Sequence, residues 1–138
     1  METIFKTYKP ENFHTVTSYL FATNPVLLID FLKSAFFAIE INRSINSFNG
    51  EIANSIVQIG DTCFMISQSK GQYENIRSAF YLFVDDVDMV HKRAIMYGAK
   101  ADFEPVNMPY QDRQSGIIDP CGNYWFISKR LVKKGYHD

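Results

Sequence analysis

From Ile39 to Asn46 the chain alternates, with Ile39, Ile41, Arg43 and Ile45 on one side and Glu40, Asn42, Ser44 and Asn46 on the other. A period of two is the mark of a strand with one covered face. Two further strands are predicted at about Ile52 to Ile59 and Thr62 to Gln68, set off by turn residues at Asn49-Gly50 and Gly60-Asp61. Ahead of them the period lengthens. Over about Pro25 to Phe37, Asp30, Lys33 and Ser34 share a stripe, while Val26, Leu28, Ile29, Leu32 and Phe36 lie elsewhere. Asn24 is placed to cap that helix and Pro25 to open it. A second helix is predicted over about Val87 to Tyr97. Its inner face is Val87, Val90, Ala94 and Tyr97, its outer face Asp88, His91, Lys92 and Arg93. Asp85 or Asp86 caps it and Gly98 stops it. Strands at Ala101 to Glu104, Gly116 to Ile118 and Tyr124 to Ser128 complete the pattern.

The pattern occurs twice. Tyr19-Leu20-Phe21 returns as Tyr81-Leu82-Phe83, 62 residues on, and Phe64-Met65-Ile66-Ser67 is answered by Trp125-Phe126-Ile127-Ser128, 61 residues on. Two offsets that agree within one residue imply two βαβββ modules, about 14–69 and 76–130, with Lys70 to Asn75 as a polar linker. We therefore expect one α+β domain spanning 1–138.

Composition narrows the partners. The 138 residues are 46% hydrophobic and 21% charged, with 14 basic against 15 acidic side chains. A net charge of −1 removes the electrostatic reason to expect nucleic acid or an anionic membrane. No apolar run approaches the roughly 20 residues of a spanning helix, and Met1 to Lys6 lacks the pattern of a signal peptide. Cys63 and Cys121 make no disulfide framework, so a cytoplasmic location with reduced thiols is expected. The unusual feature is 15% aromatic residues: 12 Phe, 8 Tyr and 1 Trp.

Phe83-Val84-Asp85-Asp86-Val87-Asp88, Gly98-Ala99-Lys100 and Asp119-Pro120-Cys121-Gly122-Asn123-Tyr124-Trp125 stand in an order and spacing that resembles the vicinal-oxygen-chelate superfamily. This is the glyoxalase, bleomycin-resistance and extradiol-dioxygenase group. Met108 to Arg113 resembles its PhnB-like branch. The resemblance runs from about Val16 to Arg130 and implies a cup-shaped mixed sheet with helices outside. It also implies one divalent ion, held by His, Gln or Glu at four strand positions. Carried over through the flanking motifs, those positions are Thr17, Met65, Ala79 and Phe126. Methyl and phenyl groups offer no donor, and a thioether suits soft ions, so no metal ligand is assigned. His14, His91 and His137 supply no second donor beside any of them, and a slip of one residue would add only Gln68. The residues at Asp119 read as a tight turn, and Asp85 to Asp88 as a helix start favoured by the macrodipole.

If the four positions face the cup, alternation brings Tyr19, Phe21, Cys63, Ser67, Tyr81, Phe83, Tyr124 and Ser128 beside them. Leu20, Phe64, Ile66, Phe80, Leu82, Val84, Trp125 and Ile127 then face the helices. The cup closes on itself, packs against another subunit, or binds a ligand. The expected ligand residues are Tyr19, Phe21, Met65, Tyr81, Phe83, Tyr110, Tyr124 and Phe126, with Arg113 to meet a carboxylate or ring. An ion pair of Arg113 with Asp112 or Asp119 is the alternative. No catalytic residue is assigned, because Ser67 and Ser128 lack a histidine and a nucleophile elbow. The expected function is small-molecule binding in an aromatic cup without a metal or other cofactor, similar to bleomycin-resistance-type proteins. The alternatives are a metal-dependent lyase, isomerase or dioxygenase, or an interaction domain. The superfamily resemblance and the aromatic faces predict a homodimer.

Overall fold

The computed structural model describes residues 2–137. Each predicted helix is started by its cap. The Asn24 side chain accepts the Leu27 amide at 3.1 Å and Pro25 opens α1 (Pro25–Phe36). Asp86 accepts the Met89 amide at 3.1 Å and opens α2 (Val87–Met96). Around α1 lie β1 (Tyr19–Ala22), β2 (Ile39–Ile45), β3 (Ile52–Ile59) and β4 (Thr62–Gln68). Around α2 lie β5 (Ala79–Phe83), β6 (Lys100–Asn107), β7 (Asp112–Ile118) and β8 (Tyr124–Arg130). The fold is thus α+β, two βαβββ modules in sequence.

The sheets run β1-β4-β3-β2 and β5-β8-β7-β6. In each, the first and last strands of the module pair in parallel and the rest are antiparallel. Register confirms the repeat: Tyr19 sits opposite Met65 and Phe21 opposite Ser67, as Tyr81 sits opposite Phe126 and Phe83 opposite Ser128. The sheets are not closed onto one another, so one chain presents the cup in two halves.

One hydrophobic core joins the modules on the side of the helices. Leu20, Leu28, Ile29, Leu32 and Ile66 from the first merge with Val87, Val90, Ala94, Ile117, Trp125 and Ile127 from the second. Phe36 of α1 meets Trp125 of β8 at 5.0 Å between centroids, and Phe80 stacks on Trp125 at 4.3 Å. Arg93 of α2 donates from Nε and Nη2 to the Ser34 carbonyl at 2.8 and 2.5 Å, and lies 4.5 Å over the Phe37 ring. Phe37 takes a left-handed conformation (φ 59°) and ends α1 one residue before the predicted limit.

Three expectations need correction. Tyr97, expected on the inner face of α2, is its C-cap and is exposed. His91 is buried, not on the outer face of α2: Nδ1 lies 2.8 Å from Ser115 Oγ and Nε2 2.9 Å from Glu104 Oε2. β7 begins at Asp112, four residues before the predicted start at Gly116. Asp112, Arg113, Gln114 and Ser115 look like loop residues, but each finds a polar partner on a neighbouring element. Asp119 is the centre of its turn as predicted. Its carboxylate accepts the Cys121 and Asn123 amides and the Trp125 indole N–H, at 2.8, 3.1 and 2.9 Å.

Candidate functional site

On the face of the second sheet turned away from α2, register places Ala79, Tyr81 and Phe83 beside Tyr124, Phe126 and Ser128. β7 adds Asp112, Gln114 and Gly116 to the same face. Tyr81 stacks near Phe126 at 6.3 Å, Phe83 packs on Tyr81 at 5.3 Å, and Phe103 of β6 reaches Phe126 at 6.2 Å. Gly116 makes room for this, since a Cβ there would stand 2.5 Å from the Phe103 ring. The outer end of the face holds a hollow of about 560 Å³ lined by Tyr81, Phe83, Tyr110, Tyr136 and His137.

A buried carboxylate organises that end. Asp112 is 0% exposed. Its Oδ2 accepts the hydroxyls of Tyr81 at 2.6 Å and Tyr136 at 2.7 Å, and its Oδ1 lies 3.2 Å from Arg130 Nη1. Burial works against the charge, but these bonds outweigh it and hold the carboxyl below its ordinary range. Burial and the bond to Asp112 push the Tyr81 phenol well above its ordinary value, so it remains a neutral donor. Tyr110 donates to Gln114 Oε1 at 2.5 Å, and Gln114 Nε2 donates to Ser128 Oγ at 2.7 Å.

On the corresponding face of module one the rings stack on one another. Tyr19 stacks on Phe21 and Phe21 on Tyr73, each at 4.7 Å, and the Tyr19 hydroxyl lies 2.8 Å from Ser67 Oγ. Met65 sits beside Tyr19 by register. The predicted ligand residues thus fall into two groups, Tyr19, Phe21 and Met65 on one sheet and Tyr81, Phe83, Tyr110, Tyr124 and Phe126 on the other. The ring contacts of each group stay within its own module.

Arg113 belongs to neither group. It pairs in register with Lys129 on the opposite side of β7, where Nε and Nη2 grip both oxygens of Asp88 on α2 at 2.7 Å. The predicted ion pair of Arg113 exists, with Asp88 in place of Asp112 or Asp119. That bond, made with an exposed residue, holds the Asp88 carboxyl below its ordinary range. Asp112, Tyr136, Arg130 and Phe103 were not expected at the site. Strand alternation continued from Phe126 across to Gly116 and Asp112 would have found the first of them.

The donor set at the four superfamily positions does not fit a divalent ion. Thr17 donates its hydroxyl to the His14 carbonyl at 2.8 Å, and Met65, Ala79 and Phe126 offer only a thioether, a methyl and a phenyl ring. Among the described residues no group of three His, Cys, Asp or Glu could hold a metal ion. Ser115, His91 and Glu104 have the atoms of a proton relay, but Ser115 is fully buried and no substrate can reach it. Burial pushes both cysteine thiols up, away from the reactive thiolate.

No protein-family model matches the chain, and no curated protein matches it in sequence. Solved structures do match. TioX from Micromonospora sp. ML1 is 20% identical with a TM-score of 0.72, over 84% of this chain and 98% of that one. A glyoxalase/bleomycin resistance protein/dioxygenase family enzyme from Burkholderia phytofirmans PsJN is 21% identical with a TM-score of 0.68, over 87% and 98%. A PhnB protein from Bacillus cereus is 13% identical with a TM-score of 0.64, over 84% and 99%. These likenesses span nearly the whole of each neighbour. With two βαβββ modules in sequence, the chain has the fold of the vicinal-oxygen-chelate superfamily.

Proposed function

We propose that the chain binds a flat, partly apolar small molecule on the open face of its second module, without a metal centre. The observation that carries this is the hollow of about 560 Å³ walled by Tyr81, Phe83, Tyr110 and Tyr136, with Phe126 behind Tyr81. Aromatic rings give stacking area at small entropic cost, and an open apolar face of this kind suits a flat ligand laid against it. The chemistry of the superfamily positions supports the same reading, because sequestering an aromatic compound needs no hard-ion ligands, whereas a Lewis-acid mechanism does. The comparison with bleomycin-resistance-type proteins rests on fold.

We also infer a homodimer. Tyr81 and Phe83 are 45% and 58% exposed, and a second copy would complete the cup around the ligand from its own sheet, leaving the hollow free. No described helix is long and apolar enough to cross a membrane. A cytoplasmic setting suits the two free thiols.

Native mass spectrometry of the purified protein, followed by calorimetry with any small molecule it carries, tests the proposal. One ligand per chain, with Phe126→Ala weakening it by roughly ten- to a hundredfold, is the expected result. Stoichiometric zinc, nickel, manganese or iron bound through His or Glu would overturn the metal-free reading. So would a ligand whose affinity ignores Phe126→Ala.

A further inference from the structure

The segment after β8 does not leave the molecule. Arg130 holds it: Nε donates to the Lys134 carbonyl at 2.9 Å and Nη2 to the Gly135 carbonyl at 2.8 Å, while Nη1 reaches the Tyr110 carbonyl. The Leu131 amide bonds the Gln111 carbonyl at 2.9 Å. The turn so formed delivers Tyr136 back onto the sheet. Its ring lies 4.3 Å from the Arg130 guanidinium and meets Tyr81 edge to face at 6.4 Å, and its hydroxyl donates to the buried Asp112.

We propose that residues 131–137 form a strap that is part of the binding site, with Tyr136 as one wall and Asp112 as the positioning residue that seats it. The proposal rests on the reading of the hollow as a ligand site, and it adds the class of ligand. The hydroxyl protons of Tyr81 and Tyr136 are committed to Asp112 and that of Tyr110 to Gln114, so none is left to donate to a ligand. Asp112 itself is closed off beneath them and faces Arg130. The hollow therefore offers mainly ring faces and edges, and no Asp, Glu, Lys or Arg is among its described lining residues. Burying a charge or an unpartnered polar group against such walls is costly. The ligand is a neutral aromatic molecule whose polar groups stay at the rim.

Two measurements on the full chain test this. The first needs no ligand. In ¹⁵N relaxation, residues 131–137 should be as ordered as β8, and Tyr136→Phe, which removes only the bond to Asp112, should loosen the strap at residues 136 and 137 while Arg130 keeps the turn before them. Asp112→Asn should act alike if it folds. A segment already mobile in the parent chain overturns the strap, and one whose end stays as ordered in both variants overturns the seating role of Asp112.

The second uses the neutral fluorophore N-phenyl-1-naphthylamine. The parent chain should bind it, Tyr136→Ala should weaken it about tenfold or more, and Phe48→Ala, in the exposed turn between β2 and β3, should leave it unchanged. If Phe126→Ala weakens the probe and Tyr136→Ala does not, the strap has no part in the site and the proposed function stands. If the parent chain ignores the probe while the strap is ordered, the ligand class and the proposed hollow fall together. Loss of binding as the protein self-associates would make a second copy the occupant, which also overturns the proposal.

Discussion

Asp112 shows what a single buried charge can organise. Its carboxyl is held below its ordinary range, so the stability it contributes is complete above the unfolded carboxyl pKa of about 3.9. That stability is lost as pH falls through the lower folded value. The acid limb of a pH–stability curve should therefore flatten in Asp112→Asn, with the variant less stable at neutral pH. Denaturant titrations at pH 3 and pH 7 measure both effects. Tyr81→Phe keeps the ring and removes one of the donors to that carboxylate. A hydrogen bond to a charged group is worth about 1.5–3 kcal/mol, and the loss should appear in the urea midpoint at neutral pH.

Among elements, β7 does the most to set the site, because its two faces serve different neighbours. Asp112 and Gln114 face the aromatic side, and Arg113 and Ser115 face α2. Gly116 lets β6 bring Phe103 against Phe126. In Gly116→Ala the new Cβ would meet that ring at 2.5 and 2.8 Å, so Phe103 must swing away. We expect a loss of about 1–3 kcal/mol in thermal or urea unfolding, together with shifted Phe126 ring resonances. The His91 brace between α2, β6 and β7 gives a second test. His91→Ala leaves the fully buried Ser115 hydroxyl without its imidazole partner, a cost of about 1–3 kcal/mol before any cavity term. Adding Ser115→Ala should recover part of it.

At the scale of the molecule, one core holds both modules while their aromatic faces stay bare. Trp125 lies where α1, β5 and β8 meet, so its fluorescence should report a single cooperative unfolding transition for the two modules. Two separate transitions would show that the repeats fold independently. The bare faces lead to the other expectation at this scale. Light scattering at micromolar concentration should give twice the chain mass, and a monomer would count against the shared cup.

The repeat, both helices with their caps, the Asp119 turn and the division of strand residues into core-facing and open-facing sets are all determined by the sequence alone. Each depends on interactions within a few residues or on strict alternation, which sequence records directly. The placement of Arg113, His91, Asp112 and Tyr136 was decided only by tertiary structure. All four are polar or amphipathic residues whose partners lie on other elements: Asp88 for Arg113, Ser115 and Glu104 for His91, and one shared hydrogen bond for Asp112 and Tyr136. A charged or hydroxyl side chain reads as surface until such a partner is known, because burial is tolerated only once its hydrogen bonds are satisfied. The same holds for the two sheets. Alternation marks which residues share a face, but whether two faces meet depends on how the helices pack, and here that packing leaves them apart.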